Sequence, residues 1–390
     1  MEQRWSTTFH SVGIHDTSVP PDGGGGLAER VRSVRRVDPS RSAGAQSAAM
    51  VPGIEDVARV AGVSTATVSR ALRGLPNVNA LTRARVREVA AELGYVASPS
   101  AVSLASGRTR TIGLISPRIR RWFFANVIEG AERTLRERGF DVLLYTFNAD
   151  LPSSRAAVDP EVLRRRVDGV LVVGLPLAPE EMDALRALGQ PLVCIGWGGY
   201  GQVTVRLDDR GTAEAATQHL IALGHTRIAH ITGAPEDIAP WSPPVERAGG
   251  YRAAMTEAGL PVDPALEAHG NFDVAGGRAA TRDLLDRAPD VTAIFAASDE
   301  MAMGAILALR DAGRRVPEDV SVIGIDGHDL GELVGLTTMA QPADEQGAAA
   351  AQIVLDMIAG AAPPPELVYP TVLVERGSTG PAPSAPRAVD

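Results

Sequence analysis

Apolar residues recur with two different periods along this chain, and the change falls near residue 108. They first stand at 54, 57, 58 and 61, the i, i+3, i+4, i+7 stripe of a helix face. Glu55 and Asp56 lie in its first turn, where negative charge complements the helix dipole. Gly62 permits the left-handed backbone of a tight turn, and Ser64 is placed to cap a second helix over about 65–72. Ala58 lets the two helices cross closely, with Val63, Val68 and Leu72 as the apolar contact. A third helix is predicted over 81–93, capped by Asn79, turned inward through Val86, Val89, Ala90 and Leu93, and stopped by Gly94. Arg83, Arg85 and Arg87 give it a basic outer face.

Past residue 108 short apolar runs alternate with amphipathic stretches. The runs predict strands over 111–116, 141–147, 169–173, 192–195, 228–232, 293–296 and 320–325. Helices are predicted between them over 124–138, 179–188, 212–223, 245–258, 275–287 and 301–311. Strands alternating with helices imply α/β architecture with parallel sheets. The strands are too many for one small sheet, so two lobes are expected. Residues 1–50 keep neither period. They carry Pro20-Pro21, four glycines from Gly23 to Gly26 and a Ser/Ala/Gly-rich stretch, and are expected to be a tail. Met50 precedes the first periodic segment, and translation is expected to start there or at a nearby codon.

Charge sharpens this division. The chain of 390 residues has a formal net charge of −9. Residues 51–121 hold eleven arginines against four acids, while residues 122–390 hold 21 arginines against 38 acids. A compact basic segment joined to a large acidic body is the pattern of a polyanion-binding module on a carrier. No lysine occurs, which excludes Schiff-base chemistry and a P-loop lysine. Cys194 is the one cysteine, so no intramolecular disulfide or multi-cysteine metal site forms. There is no apolar run of membrane-spanning length and no signal-peptide pattern, and the chain reads as cytosolic.

Ala58, Gly62, Val63 and Val68 at these spacings describe a helix-turn-helix. Its second helix exposes Thr65, Ala66, Ser69 and Arg70. Arginine reads guanine through two parallel hydrogen bonds, and hydroxyls reach phosphates. The alternative is an ordinary small helical bundle. The run IEDVARVAGVSTATVSRALRGL from Ile54 to Leu75, the segment from Val78 to Tyr95, and SLASGRTRTIGL from Ser103 to Leu114 resemble the LacI/GalR family of transcriptional repressors. The resemblance extends from about 54 to 379.

That resemblance implies a small all-α helix-turn-helix headpiece followed by a two-lobed, periplasmic-binding-protein-like core with parallel sheets. The implied division is a tail (1–52), the headpiece (53–97), a hinge helix (98–108), the core (109–380) and a C-terminal tail (381–390). The first lobe takes about 109–207 and 341–370, the second about 208–340 and 371–380. Thr65, Ala66 and Arg70 then occupy base-reading positions. Ser64, Thr67, Ser69, Asn77 and Tyr95 stand where the family contacts phosphate or sugar. Leu104 matches the leucine wedged into a minor-groove step, which kinks the duplex and widens the groove. Gly53 replaces the family's capping threonine, and Ala97, Pro99 and Val102 depart from its hinge approach.

For a ligand between the lobes the resemblance points to Arg247, in Glu-Arg-x-x-Gly-Tyr, and to Asp326, ending Val-Ser-Val-Ile-Gly-Ile-Asp. Ser298 and Asp299 lie at a strand-to-helix corner where the family has Asn-Asp, and Gln341 lies at a crossing between lobes. A guanidinium and a carboxylate in one cleft suit the vicinal hydroxyls of a sugar. Phe123 and Trp197, with Trp122, Trp241 and Phe272, are candidate stacking faces and equally candidate packing residues. Arg247 and Asp326 are alternatively a structural ion pair, and Asp299 alternatively caps the helix at Met301.

Other patterns carry less. Gly196-Trp-Gly-Gly-Tyr-Gly201 matches G-x-G-x-x-G, but a strand-like run follows it where a dinucleotide site needs a helix. The histidines lack metal-ligand spacing, and no cofactor is expected. After Arg376 no heptads appear, so no tetramerising coiled coil is expected. The reading is a homodimeric regulator, a repressor, bound to a near-palindromic double-stranded operator and controlled by a sugar or sugar derivative. The rivals are a sugar-active α/β enzyme, which lacks a paired acid and base at diagnostic spacing, and a sugar-binding protein without operator function.

Overall fold

Three short helices, α1 (Ile54–Ala61), α2 (Thr65–Leu72) and α3 (Ala80–Leu93), pack around Val57, Val68, Ala71, Val86 and Val89 in a computed structural model of the chain. The structure describes residues 52–95, 108–146, 160–174, 177–198, 201–233 and 242–384. Gly62 closes α1 in the left-handed conformation, φ 70°. Ser64 and Asn79 cap α2 and α3 by accepting from the amides of Thr67 and Thr82. At Gly53, where no side chain is available to cap, the Asp56 carboxylate reaches back and accepts from the Gly53 amide at 3.0 Å. Arg83 does not face outward as the sequence pattern predicts. Its guanidinium turns back to donate to the Leu75 carbonyl at 2.9 Å and to those of Gly74 and Val78, tying down the turn between α2 and α3.

By contacts the chain divides into Met1–Val96 and Ala97–Asp390. The second unit is built on two six-stranded sheets. In order of introduction its elements are β1 (Thr111–Ser116), α4 (Trp122–Glu137), β2 (Asp141–Thr146), α5 (Pro160–Leu163), β3 (Gly169–Val173), α6 (Pro179–Arg186), β4 (Leu192–Ile195) and β5 (Val203–Leu207). Then come α7 (Asp209–Ala222), β6 (Ile228–Thr232), α8 (Pro243–Glu257), β7 (Glu267–His269), α9 (Val274–Arg287), β8 (Ala293–Ala296), α10 (Asp299–Asp311), β9 (Ser321–Asp326) and β10 (Thr337–Ala340). The unit closes with α11 (Ala343–Ile358), β11 (Glu366–Tyr369) and β12 (Val372–Val374).

The first sheet runs β11-β5-β4-β3-β1-β2 and is parallel throughout. The second runs β12-β10-β9-β8-β6-β7, parallel except for β12 against β10. The chain therefore passes between lobes after β5, after β10 and after β11. Each sheet is covered on both faces, as parallel sheets require. In the first lobe Leu114, Leu171 and Val193 pack toward α4 and α11, and Val170, Val172 and Cys194 toward α6. Burial pushes the Cys194 thiol up to about 12, so it is an inert core residue.

One predicted strand shifts: that over 320–325 is Ser321–Asp326. The run expected over 141–147 is a strand over Asp141–Thr146, and Phe147 lies outside the described residues. The main addition is α11. Its sequence, ADEQGAAAAQIVLDMI, is small or apolar on nearly every side, so it carries no one-sided stripe. It packs beside α4 on one face of the first sheet, against β3, β4 and β5, and leaves Glu345 and Asp356 exposed.

Candidate DNA interface and effector cleft

Thr65, Ala66 and Arg70 are all exposed on α2, at positions 1, 2 and 6 of the helix, and share one outward face. Ser64 is exposed at its N-terminus, and Ser69 and Thr67 are half-buried beside it. Ser64 already serves as the cap, with its hydroxyl 2.9 Å from that of Thr67. Asn77 is exposed in the turn before α3 with φ 67°, a left-handed conformation that asparagine adopts more readily than most residues. Tyr95 is half-buried against the headpiece core. Leu104 and the rest of the expected hinge lie outside the described residues, as do residues 1–51 and Trp241.

Between the lobes the structure gathers Arg247, Ser298, Asp299, Asp326 and Gln341, all buried. Arg247 comes from α8, whose Gly250 packs directly on the Arg210 backbone of α7. Asp326 ends β9 with φ 142°, and Gln341 follows β10, its neighbour in the sheet. Gln341 Nε2 donates to Asp326 Oδ1 at 2.7 Å. Arg247 does not pair with Asp326. Its Nε donates to Asp209 Oδ1 at 2.8 Å, and its Nη1 to the carbonyl oxygen of Ala297. Asp209 opens α7 at the first crossing between lobes, where Asp208 spends its own carboxylate capping Gly211.

The corner residues exchange their expected roles. Ser298 caps α10, accepting from the Met301 amide at 3.3 Å. Asp299 instead accepts from the amides of Gly327 and His328, at 2.9 and 2.7 Å, and so fastens α10 to the loop after β9. Burial raises its carboxyl. Asp326 is pushed up to about 8, first by burial and then by the Asp299 carboxylate, while Arg247 pulls it down. Burial likewise raises Asp209, opposed by Arg247. This is a buried polar centre in which Arg247 favours the charged carboxylates and Gln341 donates to Asp326.

The aromatic residues divide. Trp197 is a core residue: the chain turns at Gly196, φ 81°, and the indole packs into the cluster with Ile115, Val172, Leu177 and Met182. It is 1% exposed and offers no stacking face, although its Nε1 has no hydrogen-bond partner among the described residues. Phe123 is half-buried, with its ring against Gly196 and edge-on to Phe124 at 5.5 Å. Phe272 is half-buried against the second lobe's core. Trp122 stacks on His328 at 5.8 Å, a contact between lobes.

Sequence reasoning missed the groups around that contact. Arg121, just before α4, donates to Glu300 at 2.6 Å and Asp273 at 2.9 Å in the other lobe. The Trp122 amide donates to Glu300 as well. An open depression of about 550 Å³ lies alongside, lined by Arg120, Trp122, Asn126, Glu300, His328 and Asp329. The only sequence signal was the run Arg118-Ile-Arg-Arg121, which charge counting assigned to the basic segment.

Comparison with known proteins agrees with this architecture. Residues 53–98 match the family described as bacterial regulatory proteins, lacI family, and residues 217–379 match the periplasmic binding protein-like domain. The transcriptional regulator CelR of Thermobifida fusca is 38% identical over 342 residues, covering 84% of this chain and 98% of the relative. The ribose operon repressor of Escherichia coli K12 is 35% identical over 335 residues, covering 83% and 99%. The chain belongs to the lacI family of bacterial regulatory proteins. Among solved structures, a lac repressor dimer bound to operator and the anti-inducer ONPF superposes with a TM-score of 0.76 at 26% identity, covering 84% of this chain and 99% of that one. A CelR–cellobiose complex gives 0.64 at 36% identity, with the same coverage of each chain. As a lacI-family member this chain is a DNA-binding transcriptional regulator, and the relatives that place it there are regulators rather than enzymes. No helix among the described residues is long and apolar enough to cross a membrane.

Proposed function

We propose that the chain is a cytoplasmic homodimeric repressor whose operator affinity is set by a sugar bound between the core lobes. The observation that carries this is the buried Arg247, Asp326 and Gln341 centre, built at the crossings where the chain changes lobe. A ligand that competes for those hydrogen bonds acts where the lobes pivot. Uncharged hydroxyls suit the centre, because it supplies both donors and acceptors. Two relatives support the class: CelR is seen in complex with cellobiose, and another relative is named as the repressor of the ribose operon. On the headpiece, Arg70, Thr65 and Ala66 read base edges, Ser64, Thr67, Ser69, Asn77 and Tyr95 hold the backbone, and Leu104 wedges the centre of a near-palindromic site.

The test selects duplexes from a random library with the full chain, then titrates the best one with and without cellobiose, ribose and a panel of other mono- and disaccharides. The expected result is a palindromic consensus and at least one sugar that changes operator affinity about 5-fold or more. A panel in which no sugar alters either operator affinity or the thermal midpoint overturns the effector assignment.

A further inference from the structure

Helix α11 is fastened at both ends, and to different parts of the molecule. In its first turn Gln346 is fully buried, and its Nε2 donates to Gln341 Oε1 at 2.9 Å. Gln341 in turn donates to Asp326. Asp326 belongs to the second lobe's sheet and α11 to the first lobe, so two successive hydrogen bonds cross between lobes beside the second crossing. Gln346 Oε1 is buried and has no hydrogen-bond partner among the described residues. At the far end, the carbonyl oxygen of Ile358, the last residue of the helix, accepts from Arg108 Nη2 at 3.3 Å. Arg108 directly follows the segment that leads from the headpiece.

The shaft between these ends has little slack. Sixteen helical residues span about 24 Å. Along it, Gly347 lies against the backbone of Val127 and Gly130 against that of Asp344, so closely that an added Cβ would fall 2.0 and 1.9 Å from a carbonyl oxygen. A displacement at Gln346 therefore carries α11 with it rather than being absorbed in side-chain motion.

We propose that Gln346 is a positioning residue for the regulatory response: it passes the state of Asp326 and Gln341 through α11 to Arg108, at the core end of the linker to the headpiece. This deepens the effector reading and rests on it. Gln346 touches no base and need not touch the ligand. A hydroxyl group that takes over Asp326 or Gln341 changes what Gln346 can bond to, and its unpartnered Oε1 supplies a second bonding state. Two arrangements of one buried side chain, coupled to a stiff element, make the bistable part that coupling between distant sites requires.

The experiment is a double-mutant cycle on the selected duplex with the full chain and no sugar, using Gln346→Leu, Arg108→Ala and the double variant. Leucine keeps most of the volume and removes the hydrogen bonds. Direct loss of phosphate attraction at Arg108 enters additively and cancels in the cycle. The expected result is a change of about 3-fold or more for Gln346→Leu, and a double variant no worse than the larger single one. Fold-changes that simply multiply, or an unchanged Gln346→Leu, overturn the proposal. Should Gln346→Leu fail to fold, Gln346→Asn, which shortens the reach by one methylene, takes its place with the same criteria. A parallel titration with cellobiose and ribose tests the underlying reading: a wild-type chain indifferent to every sugar in the panel counts against that reading alone, because the cycle is decided without sugar.

Discussion

Arg247 and Asp209 hold each other in a site where each side chain is only 7% exposed, and this pairing changes what a substitution there does. Arg247→Ala leaves a buried carboxylate without its counter-charge, a defect that costs about 3–5 kcal/mol. The expected outcome is a lower urea midpoint as well as a lost ligand response, with part of the stability returned by the double variant Arg247→Ala, Asp209→Asn. Asp326 gives a pH signature. The folded chain keeps that carboxyl protonated to about pH 8, whereas the unfolded chain releases the proton near pH 4. Its contribution to stability is therefore present in full below about pH 4 and declines as pH rises toward 8. Asp326→Asn is neutral throughout, so its thermal midpoint should gain on the wild type between pH 5 and pH 8; a constant difference would contradict the protonated carboxyl. Arg247 was legible in sequence from its motif. Its partner was not, because Asp208 and Asp209 are adjacent identical residues and only the fold turns one toward a helix cap and the other inward.

At the scale of elements, the headpiece was readable almost residue by residue. Its helices are short, amphipathic and bounded by residues whose capping chemistry is local. Arg70→Ala is expected to weaken specific binding by about 1–3 kcal/mol and to relax the selected consensus at one base pair per half-site, as read by repeating the duplex selection. Helix α11 was unreadable for the opposite reason: its alanines fit every face, and only its packing on the sheet and α4 shows that Ala343, Ala350 and Ala351 are the buried ones. Its crossing with α4 depends on two glycines, and the same device recurs in the other lobe, where Gly277 and Gly304 sit against the partner helix's backbone between α9 and α10. Gly347→Ala should separate α11 from α4 and cost about 1–3 kcal/mol of overpacking, measured by chemical denaturation. A tolerated alanine would mean that the pair slides more freely than this contact allows.

For the whole molecule, alternation of strands and helices foretold parallel sheets, but the pairing of lobes rests on contacts remote in sequence. Arg121 meets Glu300 and Asp273 across 179 and 152 residues, and nothing local to any of the three signals the meeting. Arg121→Ala removes both ion pairs while leaving each lobe's core intact. Faster amide exchange is expected at the start of α4 and around residues 327–329, and unchanged exchange within the strands. Equal exchange in both regions would show that Trp122 and His328 hold the lobes without the arginine.

The order of the strands has a consequence for how the molecule comes into being. Each sheet takes one edge strand from a single stretch of chain after α11, β11 and β12, only two residues apart. A ribosome that has made the first 340 residues has supplied ten of the twelve described strands, yet neither lobe is closed and α11 is still missing from its place beside α4 on the first sheet. Both lobes are thus completed within a second or so of each other, at about 5–20 residues per second. A nascent or prematurely ended chain can carry a finished headpiece able to reach DNA before it carries a core able to answer a ligand.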